Sequence, residues 1–180
     1  MEDPEEIPRT ILRYDTAHVD WGNFKDGKIL FLNPNYVLIG HGDLPHTLFA
    51  TPQFSEETLL SNIGESIYKV KTILLQSTFM AKKNADNAYY PIPEWISNFK
   101  EVDHLTLRQA ELDNLEFLED MPIQQLVLFN VSVHNIDPVI ISISQFKNLQ
   151  TIEYDQSIPK PLIEHLKSLN LTLIPNFNIG

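Results

Sequence analysis

The feature that most constrains the fold of this chain is an apolar pattern, L-x-x-L-x-L-x-x-N-x-L, that recurs in its second half. Three clear copies begin at Val70, Val102 and Ile123, and a weaker copy begins at Leu149. A partial fifth copy lies near the carboxyl end. Recurrence at intervals of tens of residues indicates stacked structural units, because each unit buries its apolar face only against its neighbours.

Short helices are predicted between these copies. Pro93 precedes apolar residues at helical spacing, Asp137 and Pro138 form an N-cap and first-turn pair, and Pro161 opens a further segment. Proline is favoured in the first turn of a helix, and aspartate is favoured at the N-cap. Strands and short helices therefore alternate over residues 67–180, which predicts an α/β fold with parallel strands.

This alternation resembles the leucine-rich repeat family, in an irregular form similar to its bacterial members. The resemblance covers roughly residues 65–180. It implies a short solenoid of parallel strands and short helices, whose concave strand face usually binds a partner. A plain α/β fold with chance L-x-x-L-x-L runs is the alternative.

The chain departs from the family pattern in two respects. The middle strand positions lie 32, 21, 26 and 19 residues apart, at Ile73, Leu105, Leu126, Ile152 and Leu171, whereas regular repeats span about 20–29 residues. The position that usually holds asparagine is occupied by Thr78, Ala110, Val131, Ser157 and Asn176. The asparagine ladder that closes the turns in the family is therefore mostly missing, and looser turns are expected.

Residues 1–66 contain no repeat and are predicted to form an N-terminal capping module of a β-hairpin and a helix. Strands over 28–32 and 36–39 flank an Asn-Pro-Asn turn, and Ser55 is a good N-cap for a helix that starts at about residue 56. The module and the solenoid over 67–180 are expected to form one folding unit.

The composition excludes several classes of function. The formal net charge of −11, with 24 acidic and 13 basic residues, argues against nucleic-acid binding, which depends on Lys and Arg. There is no cysteine for thiol chemistry, disulfides or thiolate metal sites. The acidic amino terminus and the lack of a long apolar run predict a cytoplasmic protein that does not contact a membrane.

No catalytic motif is present either. The chain has no nucleophile elbow, phosphate loop or complete dinucleotide fingerprint, so we expect no enzymatic activity and no cofactor. His41, Asp43 and His46 could ligate a metal, but they lie among glycines and a proline, a composition typical of a turn. We therefore predict no metal. A metal-binding or small-molecule-binding N-terminal module supported by the repeats stays the alternative.

Side-chain alternation predicts one set of partner-binding residues. In a strand written x-L-x-L-x the leucines point into the core and the intervening residues point outward. The outward positions of three strands form the predicted concave face: His104, Thr106, Arg108, Gln125, Val127, Phe129, Thr151, Glu153 and Asp155. Val127 and Phe129 are expected to be exposed, with Phe129 as an aromatic anchor. If residues 136–148 fold over this face instead, Phe129 belongs to the core.

Charge patterning predicts a second set. No Lys or Arg occurs between Arg108 and Lys147. Five acids fall within ten residues of this stretch: Glu111, Asp113, Glu116, Glu119 and Asp120. They form either a solvated edge or a docking surface that steers a basic protein.

These expectations predict a protein-binding module with a basic protein, such as a toxin domain, as its partner. In size, charge and architecture the chain is similar to the immunity proteins of bacterial toxin systems, which neutralise a cognate toxin by covering it; this comparison is an analogy. A generic leucine-rich repeat scaffold or adaptor is the alternative within the same class.

Overall fold

The described part of the chain is an α/β structure, in which a large and mostly parallel sheet is combined with a few short helices. The computed structural model describes the backbone of three strands within residues 29–50, then residues 56, 57, 60, 65, 68 and 70–76, and finally residues 89–177. Glu56, Glu57 and Leu60 are helical, as expected for a helix that begins near residue 56.

The strands and helices have the following bounds. The strands are β1 (Ile29–Leu32), β2 (Val37–Gly40), β3 (Thr47–Ala50), β4 (Thr72–Gln76), β5 (Tyr90–Pro91), β6 (His104–Arg108), β7 (Ala110–Leu112), β8 (Gln125–Phe129), β9 (Ser132–Val133), β10 (Thr151–Tyr154) and β11 (Thr172–Pro175). The α-helices are α1 (Ile136–Ser144) and α2 (Lys160–Lys167), and 3₁₀ helices cover Glu94–Asn98 and Glu116–Leu118.

The main sheet has eight strands in the order β11-β10-β8-β6-β4-β3-β1-β2, and β5, β7 and β9 form a second, three-stranded sheet. All neighbours in both sheets are parallel except β1 and β2. The strands predicted over 102–107, 123–128 and 149–154 are confirmed as parallel neighbours in this order, each starting two residues later than predicted. Chain order and spatial order therefore agree from β4 to β11.

The register aligns the middle apolar positions across the sheet. Ile73, Leu105, Leu126 and Ile152 are direct neighbours on adjacent strands, and the next position in this row is Leu173. The sequence alignment of the fifth copy on Leu171 was therefore wrong by two residues. Pro175 pairs with Tyr154, so Asn176 lies opposite Asp155. Asn176 therefore does not occupy the position that holds asparagine in the repeat pattern.

The leucines of the repeats form the core. Leu105, Leu107, Leu126 and Leu128 are completely buried, as predicted. They pack in one cluster with side chains of the helical segments, such as Ile96, Val139 and Leu162. Burial of this apolar surface is the main favourable contribution to folding.

Sharp corners connect the strands of the two sheets. Gln109 between β6 and β7 has φ 57°, and Asn130 between β8 and β9 has φ 46°. Asparagine tolerates this left-handed region well, and glutamine does so less readily. The amide of Gln109 donates to the Phe129 carbonyl at 3.1 Å, which links the two corners.

The structure corrects one helix boundary. Asn135, and not Asp137, caps α1, because its side-chain oxygen accepts a hydrogen bond from the Asp137 amide at 3.2 Å. Pro138 follows in the first turn, where its missing N–H costs nothing. Two capping residues two positions apart give nearly the same sequence signal, so the sequence could not distinguish them.

The strands near the amino terminus continue the same sheet. β1 and β2 pair antiparallel, as predicted for a hairpin. β3, which the sequence reading missed, is parallel to both β1 and β4 and joins this pair to the rest of the sheet. The candidate metal ligands His41, Asp43 and His46 lie outside the described residues.

Candidate protein-binding surface

The structure brings the predicted concave residues together on β6, β8 and β10. We call this set of nine residues the strand row. Cross-strand neighbours are His104, Gln125 and Thr151 in the first row, Thr106, Val127 and Glu153 in the second, and Arg108 with Phe129 in the third. Asp155 directly follows β10. The outward alternation of these positions therefore places them side by side.

Three members of the strand row are buried, although the sequence predicted that their side chains are exposed. Val127 is 4 % exposed, Phe129 is 9 % exposed and Asp155 is 4 % exposed. Val127 and Phe129 are buried outside the cluster that contains the core leucines. Alternation fixes the side of the sheet that a residue occupies, but burial depends on what covers that side. Phe129 is therefore not the exposed aromatic anchor that the sequence predicted.

Asp155 has a structural role at the corner after β8. Its carboxylate accepts hydrogen bonds from the amide of Asn130 at 2.8 Å and from the amide of Ser157 at 3.0 Å, and also from the Ser157 hydroxyl. The Ser157 Oγ in turn accepts from the amide of Val131 at 2.9 Å. These contacts satisfy the corner's backbone donors, a task that side chains often perform where no strand partner exists.

The remaining members of the strand row are half-buried and carry little net charge. Burial lowers the pKa of His104 below its ordinary value, although the carboxylates of Asp103 and Glu153 act in the opposite direction. Glu153 accepts a hydrogen bond from the Asn176 amide group at 2.7 Å. Arg108 balances Glu153 in charge, so this face exerts no strong field of one sign.

The predicted acidic edge, in contrast, lines an open surface depression that we call the acidic trough. It consists of two adjoining cavities of ≈ 610 Å³ and ≈ 330 Å³, both lined by Asn114 and Glu116. Besides these two residues, the first is lined by Pro91, Ile92, Glu94, Glu111, Asp113, Leu115 and Phe117. The second is lined by Glu119, Asn135, Asp137, Pro138, Ile141, Ser142 and Gln145.

The small sheet and the short helices position the acids of the first cavity. Parallel pairing of β5 with β7 places Pro91 beside Glu111, and the 3₁₀ helix that follows β5 carries Glu94. Asp113 and Glu116 follow β7 and are exposed. Residues far apart in the chain therefore meet at one side of the fold.

A buried serine holds the two halves of the trough together. Ser142 on α1 is 2 % exposed. Its hydroxyl donates to the Pro138 carbonyl at 2.8 Å and accepts from the amide of Leu115 at 3.0 Å. Asn114, 3.3 Å from the same hydroxyl, accepts from the amide of Glu116 at 2.9 Å. Because α1 is tied to the loop that carries the acids, the trough has a defined shape.

No family model, curated protein or solved structure matches this chain. The geometry and the charges of the described residues are therefore the basis for inferring a function.

The charge of the trough is strongly negative. Six acids line it: Glu94, Glu111, Asp113, Glu116, Glu119 and Asp137. Among the described residues, neither Lys nor Arg lines the two cavities. His134 contacts the Glu111 carboxylate at 3.2 Å from its exposed position. Asp120, the remaining member of the predicted acidic edge, is exposed beside the trough and lines neither cavity.

Within the described residues, no group of three or more His, Asp or Glu side chains is placed to hold a metal ion. The helices in this part of the chain are also too short or too polar to cross a membrane.

Sequence reasoning missed three members of the trough. Glu94 lies in a different repeat from the predicted acids, and the pairing of β5 with β7 brings it near them. Asp137 was assigned to a helix cap, apart from the run of five acids. Ile141 faces solvent because α1 buries Val139, Ser142 and Ile143 on its other side.

Proposed function

We propose that this chain is a non-enzymatic protein-binding module that binds a basic protein through the acidic trough. The observation that carries this proposal is the lining of the trough, where six of the described residues around the two cavities are acids and none of them is Lys or Arg. Clefts lined by charges of one sign focus the electric field and raise the rate at which an oppositely charged partner arrives.

The architecture proposed for this function is a short leucine-rich-repeat-like solenoid over residues 67–180, capped by a module over residues 1–66. The sequential parallel order from β4 to β11 supports it, as do the aligned leucine positions and the corners at Gln109 and Asn130. Solenoids of this kind offer extended surfaces along one side of the stack, and the acidic trough is such a surface.

The form of binding proposed is stoichiometric inhibition in the cytoplasm, as in the immunity proteins of bacterial toxin systems. A basic toxin domain that acts on nucleic acid or another anionic substrate carries the positive surface that the trough complements. The analogy draws on size, net charge and the trough, and it requires neither a cofactor nor a catalytic group on this chain.

Charge reversal in the trough tests the proposal. The candidate partner is a purified basic toxin domain, sought first in the neighbouring reading frame, and it is mixed with the full chain. Replacing Glu116 and Glu119 together by lysine should slow association and flatten its dependence on salt, while dissociation changes little. Rates measured by stopped flow at two ionic strengths give both quantities.

A matched control is available on exposed surface away from the trough. Glu101 and Glu164 contact Lys71 and Lys167 in exposed ion pairs at 4.0 Å and 3.0 Å, which contribute little to stability. Reversing both to lysine changes the net charge equally but should leave association faster than in the trough variant. Equal rates in the two double variants would contradict a role for the trough. Binding without inhibition of the partner would instead favour a scaffold or adaptor.

A further inference from the structure

We infer that the acidic trough accommodates an arginine-containing segment with an apolar side chain beside its cations, and that this side chain packs on Ile141. The inference rests on the proposed function and names the chemistry of the partner's docking segment. It goes beyond charge complementarity because it divides the trough into a cation subsite and an apolar subsite.

The first cavity is the cation subsite. Glu94, Glu111, Asp113 and Glu116 line it, together with the half-buried ring of Phe117. A guanidinium group is planar, donates two parallel hydrogen bonds to a carboxylate and stacks on aromatic faces, whereas the lysine ammonium acts as a point charge. This combination of carboxylates with an aromatic ring therefore favours arginine over lysine.

The second cavity is the apolar subsite. Ile141 is 58 % exposed and lines this cavity with Pro138 and three acids, Glu116, Glu119 and Asp137. An exposed aliphatic side chain within a concave, acid-rimmed site matches the usual anatomy of an interface, in which an apolar centre is surrounded by polar groups. An apolar side chain of the partner would remove Ile141 from water.

One segment can occupy both subsites because they adjoin. Asn114 and Glu116 line both cavities, and the hydrogen bonds of Ser142 tie α1 to the loop that carries them. Arginine and apolar residues close together in the partner's sequence would therefore reach both cavities at once.

The free edge of the main sheet is a poorer docking site, although Ile174 on β11 is also 41 % exposed. The amides of Thr172 and Asn176 donate to the carbonyls of Gln150 and Tyr154, at 2.8 Å and 2.7 Å. Successive residues of a strand direct their backbone N–H and C=O groups to opposite sides. The backbone groups of Leu173 and Pro175 therefore point away from β10, toward the edge where no described strand pairs with β11. Proline has no N–H to donate, so it interrupts pairing with an added strand. Ile174 is therefore a suitable control for Ile141.

Three synthetic peptides of equal length with capped ends test the inference. One alternates arginine and leucine, one alternates arginine and serine, and one alternates glutamate and leucine. Calorimetry with the full chain should give an affinity about tenfold higher for the arginine–leucine peptide than for the arginine–serine peptide, a difference of about 1.4 kcal/mol. The glutamate–leucine peptide should not bind.

Three variants of the chain locate the two subsites. Ile141→Ser should abolish the preference for leucine over serine, while Ile174→Ser should preserve it. Replacing Glu111 by glutamine together with Asp113 by asparagine should weaken both arginine peptides and reduce the dependence of their binding on salt. The side chains of Glu111 and Asp113 are half-exposed and exposed, so this variant should remain folded. Thermal unfolding should confirm that each of the three variants is folded.

The outcomes separate the inference from the function on which it rests. Equal affinity for the two arginine peptides, or equal effects of Ile141→Ser and Ile174→Ser, would overturn the apolar subsite while leaving a basic partner in place. Arginine peptides that bind no better than the glutamate–leucine peptide would contradict the proposed function as well.

Discussion

The strand row and the acidic trough differ in what their side chains do within the fold. Val127, Phe129 and Asp155 of the strand row are buried, and Asp155 holds a backbone corner. The acids of the trough lie on turns, a short strand and helix ends, where they are exposed or half-exposed. A residue on the side of the sheet opposite the core leucines can therefore still be buried, and a buried side chain cannot contact a partner.

The largest expected effects are on stability and belong to the strands. Leu126→Ala should lower the free energy of unfolding by about 2–5 kcal/mol, because it opens a cavity in the core. Phe129→Ala should cost about 2–4 kcal/mol, since its buried ring lies outside the main cluster. Urea unfolding measures both. A Phe129→Ala variant with unchanged stability and weakened partner binding would restore the role of this residue as an exposed anchor.

A smaller effect is expected at the corner held by Asp155. Asp155→Ala leaves the part-buried hydrogen bond of the Asn130 amide without its acceptor and frees the Ser157 side chain, which should cost about 1–3 kcal/mol. Glu153→Ala, two residues earlier and half-buried, removes a single hydrogen bond to Asn176 and should cost less. Comparing the two unfolding curves checks this order. Equal losses would mean that the strand row has no specialised structural member.

The smallest effect on stability is expected in the trough. Neutralising Glu111 and Asp113, as glutamine and asparagine, should change the free energy of unfolding by no more than about 0.5 kcal/mol, as for most surface substitutions. Relief of repulsion among the six acids would make the change slightly stabilising. A decrease of more than about 1 kcal/mol in the free energy of unfolding would indicate that these acids stabilise the fold. The trough would then resemble the strand row in this respect.

Periodicity made the sheet predictable from the sequence. The recurring leucines indicated the parallel order of β6, β8 and β10 and the burial of the four central leucines, because period-two alternation and burial on one face leave few other registers. The fifth copy was placed two residues early, since a shift of two keeps the same side chains inward. β3 was missed because four residues outside the repeats carry too little pattern.

The trough could be predicted only in part. Its central acids were visible as a run of charge, but a run does not reveal whether a cavity lies among them. Glu94 joins Glu111 through pairing of two very short strands, and Ile141 becomes exposed because α1 buries Val139, Ser142 and Ile143 on its other side. Such contacts between distant segments depend on packing, which sequence periodicity does not encode.

The most direct test of the central claim is to map where a basic ligand contacts the chain. Backbone amide chemical shifts should be recorded by nuclear magnetic resonance while the arginine–leucine peptide is added to the full protein. The account predicts that shifts concentrate in residues 91–94, 111–119 and 135–145, the segments that carry the lining of the trough, and that β6, β8 and β10 change little. Shifts concentrated on β6, β8 and β10 with an unchanged trough would contradict it.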